Sequence, residues 1–161
     1  MAKVQVTVVG QAELVRRLKL LGDNAVDGFR IAVNSGAMAV DRTAKQLIHR
    51  GPKTGIIYKS THKYKDGKLT KRKRSVDHQA SAPNEPPASD TGYLAAHIVT
   101  VLDMDGLGAN VESQAEYSAH LEFGTKEMNG ARPFMVPALE MNRQKIRAAM
   151  DRAIKQAVKG R

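Results

Sequence analysis

From Asn24 to Arg50 the apolar residues recur three or four positions apart without a break. Val26, Phe29, Val33, Ala37, Val40, Ala44 and Leu47 are separated by steps of three, four, four, three, four and three. That spacing holds them on one face of an α-helix of about seven turns. Asp23 or Asn24 is the expected N-cap, and Gly51-Pro52 is the expected stop. Gly36 lies inside the helix among small residues (Ala32, Ala37, Ala39). An interior glycine costs about 1 kcal/mol against alanine, so Gly36 predicts close approach of a second element. An apolar stripe this long must be covered by a sheet or another helix. A chain of 161 residues fits one domain to do it.

The other elements are shorter. Lys3–Val9 alternates apolar and polar residues and is rich in valine, which predicts a half-buried strand ended by Gly10. Leu14, Val15, Leu18 and Leu21 mark a short amphipathic helix over 12–21, ended by Gly22. Gly55–Tyr58 reads as a strand. Asp66-Gly67 is a tight-turn signal, with hairpin arms expected near Ile56–Tyr64 and Lys68–Asp77. Pro83, Pro86 and Pro87 keep the stretch to Ser89 extended. Asp90 is the expected cap of a short helix through His97, with Leu94 inward. Ile98–Leu102 reads as a buried strand, turned by 105–108 and answered by Ala109–Glu112. After Pro137, Leu139, Ile146, Met150, Ile154 and Val158 share one face of a final helix.

The expected fold is α+β in a single domain over 1–161. A small, mostly antiparallel sheet is formed by the Val4, Ile98 and Val111 strands and the segment near Phe134. The long helix and the C-terminal helix cover one face. A mobile basic and Pro-rich insertion is expected at about 51–90.

The net charge of +10 is concentrated. Lys59, Lys63, Lys65, Lys68, Lys71, Arg72, Lys73 and Arg74 stand against Asp66 alone, so this one hairpin carries +7. Three readings follow: a solvated loop, a phosphate contact without base specificity, or a dock for an acidic partner surface. Tyr58 and Tyr64 interleave with the lysines, which favours nucleic acid somewhat. There are no cysteines, so disulfides, thiol nucleophiles and thiolate metal sites are excluded. No apolar run approaches the roughly 18 residues of a membrane span, and the N-terminus lacks the apolar core of a signal peptide. A cytosolic setting and no membrane partner are expected.

No motif for catalysis or cofactors emerges. In Gly51-Pro52-Lys53-Thr54-Gly55 the residues are out of order for a phosphate-binding loop, and they follow a helix rather than open one. Asp103-Met104-Asp105-Gly106 has part of a calcium-loop pattern, but the first ligand position would be Val101, so a hairpin turn is expected. His49, His62, His78, His97 and His120 have no metal-ligand spacing, and no serine sits in a nucleophile elbow. No enzyme activity, metal or cofactor is expected. A small hydrolase is the weaker option, and it would require a pocket with strongly perturbed titratable groups.

The densest stretch is 115–139. Aromatic residues make up only 4% of the chain, yet Tyr117, Phe123 and Phe134 fall here. Gly124 suits a left-handed turn after a short helix. Pro133 and Pro137 hold Phe134 extended before the last helix. Phe134 is expected in the core, Tyr117 and Phe123 beneath the long helix, and His120 packed or at an interface. Glu122 and Arg132 are expected to form a fold-locking ion pair.

Tyr117-x-x-x-Leu121-Glu122-Phe123-Gly124-Thr125 followed by Ala131-Arg132-Pro133-Phe134-Met135-x-Pro137-Ala138 resembles the signature of minor tail or tail-completion proteins of long-tailed bacteriophages. A second block, Ser81-Ala82-Pro83-Asn84-Glu85-Pro86-Pro87-Ala88-Ser89-Asp90-Thr91-Gly92-Tyr93-Leu94, resembles the family's Pro-rich segment ending in Asp-Thr-Gly-x-Leu. The blocks stand in the family's order, and the resemblance covers nearly the whole chain. The long basic insertion between Gly55 and Ser81 departs from the pattern.

The resemblance implies a structural virion protein of the neck, a head–tail connector or tail-completion component. It would assemble as a homo-oligomeric ring with other neck and tail proteins, in the virion and before that in the host bacterial cytoplasm. Its assembly residues would be Asp90, Thr91, Gly92, Leu94, Tyr117, Leu121, Glu122, Phe123, Gly124, Thr125, Arg132, Pro133, Phe134 and Pro137. The rival expectation is a nucleic-acid-binding protein acting through Lys63, Lys65, Lys68, Lys71, Arg72, Lys73 and Arg74.

Overall fold

The structure, a computed structural model, describes residues 4–6, 16, 22–60, 64–65, 68–69 and 76–159. The helix expected over 12–21 lies outside them, Arg16 apart. Helix α1 runs over Asp23–Arg50, the span its apolar period predicts. Its N-cap is Gly22, at φ 96°, whose carbonyl accepts the Ala25 N–H. Neither Asp23 nor Asn24 therefore stands at the cap. A positive φ favours glycine, so the turn falls one residue earlier than a side-chain cap would put it. At the other end the Gly51 N–H bonds to the Leu47 carbonyl.

Three strands form the main sheet: β1 (Val4–Val6), β6 (Ile98–Leu102) and β7 (Ala109–Ser113), in the order β1-β7-β6 and antiparallel throughout. Val111 pairs with Thr100 on one side and Val6 on the other. The turn between β6 and β7 is closed by the Asp105 carboxylate, which accepts the Leu107 N–H at 2.9 Å. Arg30 of α1 donates to the Asp105 carbonyl at 2.8 Å, fixing the turn against the helix. Only Ile98 of β6 is fully buried; Val101 and Leu102 at its far end are exposed, so the strand is less buried than its composition suggested.

Two small antiparallel ribbons complete the strands. β2 (Ile57–Ser60) pairs with β5 (Val76–Gln79), placing Tyr58 opposite His78. β3 (Tyr64–Lys65) pairs with β4 (Lys68–Leu69); the turn expected at Asp66-Gly67 lies outside the described residues. Three helices follow in the second half: α2 (Tyr93–Ala96), α3 (Ser118–Phe123) and α4 (Met135–Lys159). The fold is α+β. Among the described residues no helix is long and apolar enough to cross a membrane.

The segment at Phe134 is not a strand. It is the entry to α4, and it is buried because it plugs the core from the helix end. Nor do both long helices lie on the sheet. α1 packs on β6 and β7, whereas α4 packs mainly along α1, antiparallel to it. A Cβ on Gly36 would come within 3.0 Å of Ile146, and one on Gly28 within 3.5 Å of Ala153. The expected packing reason for Gly36 is thus a crossing helix.

Because α1 is covered on two sides, its buried face is broader than the apolar stripe. Ala25, Ala32 and Ile48 are buried with Phe29, Val33, Ala37, Val40 and Ala44, while Val26 and Leu47 are only partly covered. On α4 the buried residues are Met135, Ala138, Asn142, Ala153 and Ala157, and Val158 is exposed. Small side chains and one amide, rather than the large apolar ones, set how closely the two helices meet. The Asn142 amide donates to Thr43 Oγ1 of α1 and to the Ala138 carbonyl, both at 2.8 Å. The largest fully buried side chains, Phe134, Ile48, Ile98 and Met135, gather where α1, the sheet and the start of α4 converge. At about 1.5–3 kcal/mol each, they make this end the heavier part of the core.

Candidate functional site

At that end the first turn of α4 must satisfy backbone N–H groups that have no partner inside the helix. The carboxylate of Glu122, at the end of α3, takes three of them. One oxygen accepts the Phe134 and Met135 N–H groups at 2.8 and 3.0 Å, and the other accepts Val136 at 2.9 Å. The next residue, Pro137, has no N–H to place. Ala138 donates to the Phe134 carbonyl. Every donor of the turn is accounted for. A carboxylate at a helix N-terminus is also favoured by the helix dipole. Glu122 is 4% exposed, so water does not replace it.

Glu122 is therefore a cap for α4, not the partner of Arg132. Three amides already bond to its two oxygens, and Arg132 turns the other way: its Nε donates to the Ser81 carbonyl at 3.3 Å. The Arg132 backbone N–H bonds to the Leu121 carbonyl at 2.6 Å, which fastens the chain after the loop back onto α3. Gly124 makes the loop possible. Its φ is 76°, and an added Cβ would lie 3.3 Å from the Ala131 nitrogen. Its ψ of 170° carries the chain away from the left-handed cap expected there.

A second carboxylate works in the same way across the Pro-rich segment. Glu85 accepts the Thr54 N–H at 3.0 Å, the Thr54 hydroxyl at 2.5 Å and the Ala82 N–H at 2.8 Å. These bonds, the Thr54 hydroxyl foremost, hold its carboxyl below the usual carboxylate range. The Ser89 N–H reaches the Ile48 carbonyl and the Asn84 N–H the Ala131 carbonyl, so the segment is stitched to the end of α1 and to the loop before α4.

The stitching brings the two sequence blocks together. Asp90, Thr91, Gly92 and Leu94 from the first, and Tyr117, Leu121 and Arg132 from the second, line one cleft of about 280 Å³. Tyr58 and His78 from the base of the β2–β5 ribbon complete its wall. His78 Nδ1 lies 3.7 Å from the Asp90 carboxylate, and its ring is tilted against Tyr58 at 5.1 Å. Burial, then the Asp90 charge, raises the Tyr58 hydroxyl above its usual range; burial, then Tyr93, raises that of Tyr117. Asp90 does not cap α2. Gly92 holds the cap position in a left-handed conformation, and the Thr91 hydroxyl accepts the Tyr93 N–H.

The other motif residues divide between core and surface. Phe134 is fully buried, as expected, and Leu94 is buried. Pro133 is half-buried and Thr125 exposed. Tyr117 and Phe123 do not lie beneath the long helix; they are 42% and 70% exposed. α3 turns only its Ser118, Ala119 and Glu122 inward, which leaves Phe123 outside. His120 is exposed too. Of the basic residues, Lys65 and Lys68 are backbone register partners in β3 and β4, while Lys63, Lys71, Arg72, Lys73 and Arg74 lie outside the described residues. Of the cleft and strap residues, Thr54, His78, Glu85 and Tyr93 carry no role in the sequence reading, and Tyr58 carries only that of a nucleic-acid contact. Glu85 alone carried a signal, as the one carboxylate inside the Pro-rich block.

Among the described residues, no three His, Cys, Asp or Glu side chains are grouped to hold a metal ion. No family model, curated protein or solved structure matches the chain.

Proposed function

We propose that this is a structural protein of the neck or tail of a long-tailed bacteriophage, acting by assembly into a ring and joining or completing the tail without catalysis. The observation that carries this reading is the convergence of the two motif blocks on one exposed cleft, held by a carboxylate-capped helix start. The residues that give the chain its likeness to tail-completion proteins serve two purposes. Glu122, Pro137 and Phe134 build the scaffold. Tyr93, Tyr117, Phe123 and Arg132 present aromatic and cationic groups to the outside, as a protein contact needs. Virion localisation and neck or tail partners belong to the same proposal.

The test is the mass of the protein in solution by light scattering behind a sizing column, across concentration and salt, with and without short duplex DNA. A closed oligomer indifferent to DNA supports the ring. A second reading, nucleic-acid binding, draws on Lys65 standing opposite Lys68 in a ribbon rich in lysine and arginine. The +7 carried over 59–74 would attract a phosphate backbone. A monomer that shifts onto DNA at low salt, with a steep salt dependence, would favour this second reading.

A further inference from the structure

Two exposed features flank helix α3, and they complement each other. On one side, Tyr93 and Tyr117 form an aromatic ledge at the cleft mouth, 47% and 42% exposed, with ring centroids 6.2 Å apart. The ledge is extended by His97, stacked on Tyr93 at 3.7 Å. Arg132 lies beside it, its guanidinium bonded to the Ser81 and Gly130 carbonyls and to no carboxylate among the described residues. On the other side is Phe123. At 3.6 residues per turn it lies about 200° around α3 from Leu121, which faces the cleft. Phe123 is 70% exposed, and the exposed Glu127 follows in the loop after it.

We propose that the loop Phe123–Glu127 of one copy docks in the Tyr93–Tyr117–Arg132 cleft of the next. The inference rests on the ring reading and supplies its contact. Phe123 meets the tyrosine ledge, where offset or edge-on aromatic pairing is favoured. Glu127 brings the carboxylate that Arg132 lacks, a match of charge. Knob and cleft lie on opposite sides of one short helix, so a single molecule cannot satisfy itself. In the ring reading the contact is heterologous, running from the knob of one copy to the cleft of the next, and it closes when the rotation between copies closes.

The chain has no cysteine, which makes the test direct. Lys126→Cys marks the loop and Ala96→Cys marks the ledge; both positions are exposed. The two variants are mixed and treated with a short bismaleimide. The expected result is a mixed Lys126→Cys/Ala96→Cys product several-fold more abundant than either self-linked dimer. Adding Phe123→Ala to the loop variant should reduce it at least tenfold with the circular dichroism unchanged. Self-linked dimers alone, or a yield indifferent to Phe123→Ala, would overturn the contact. Light scattering on the unmodified protein separates this from the ring itself. A closed oligomer without the mixed product leaves the ring standing and removes this interface. A monomer at every concentration removes the self-contact and leaves only assembly directed by other neck or tail proteins.

Discussion

Glu122 and Glu85 do the same chemical task in two different places. Each carboxylate accepts three hydrogen bonds from a segment distant in sequence, Glu122 from the first turn of α4 and Glu85 from Thr54 and Ala82. Glu122 is buried beside Phe134 and Met135, whereas Glu85 is near solvent. Burial is what separates them. Without Glu122, three amides would face the core with nothing to bond to; without Glu85, water takes its place. The same device fixes the fold in one position and pins a surface strap in the other.

The sharpest way to break the comparison is Glu122→Ala. It should destabilise the protein by about 3 kcal/mol or more, the cost of charge-assisted hydrogen bonds lost and buried N–H groups orphaned, read as a shift in the urea midpoint. A midpoint within experimental error of the wild type would show that Glu122 is not the cap. Next is Gly36→Val. Its added carbon atoms must displace Ile146, and overpacking of this kind costs about 1–3 kcal/mol. Stability equal to the wild type would mean that the helices part freely at that crossing.

Glu85→Ala should leave global unfolding little changed while speeding amide hydrogen exchange at Thr54 and Ala82, whose N–H groups it holds. Loss of global stability on the scale of Glu122→Ala would erase the distinction. The same strap gives a pH dependence. The Glu85 carboxyl is depressed in the folded protein, so its contribution is complete above the unfolded carboxyl range. It is lost as pH falls through the lower folded value. Protection at Thr54 should therefore decline on the acid side only, and Glu85→Gln should flatten the profile. The smallest effect concerns the cleft. Burial raises the Tyr117 hydroxyl above the usual tyrosine range, as it does Tyr58, and Tyr117→Phe should shrink the high-pH limb of the ultraviolet tyrosine titration without abolishing it. An unchanged titration would place that hydroxyl in open water.

Several of these features can be read from residue order and several cannot. The bounds of α1, the antiparallel pairs β3–β4 and β6–β7 and a buried Phe134 follow from local rules. Each depends on periodicity, turn chemistry or a proline's fixed dihedral within a few residues. Seven residues of the motif blocks line the cleft, but the blocks themselves carry no sign of a cleft, because its walls come from segments distant in sequence. The partner of Glu122 was misjudged because the nearest opposite charge in sequence, Arg132, is a natural guess. The actual partners are backbone N–H groups, which every stretch of chain carries and no sequence pattern marks. Tyr117 and Phe123 were misplaced for a related reason: an aromatic residue in a short helix has no periodicity to say which face turns inward.

What the sequence by itself determined is the set of elements and the concentration of charge in one hairpin, because both depend on near neighbours. Only the tertiary structure decided which side of α1 the final helix would cover, that Asn142 and small residues rather than Val158 would line that contact, and that Glu122 would close the start of α4. Those outcomes depend on which elements meet and how closely they approach, and such distances are set by the whole chain packing at once.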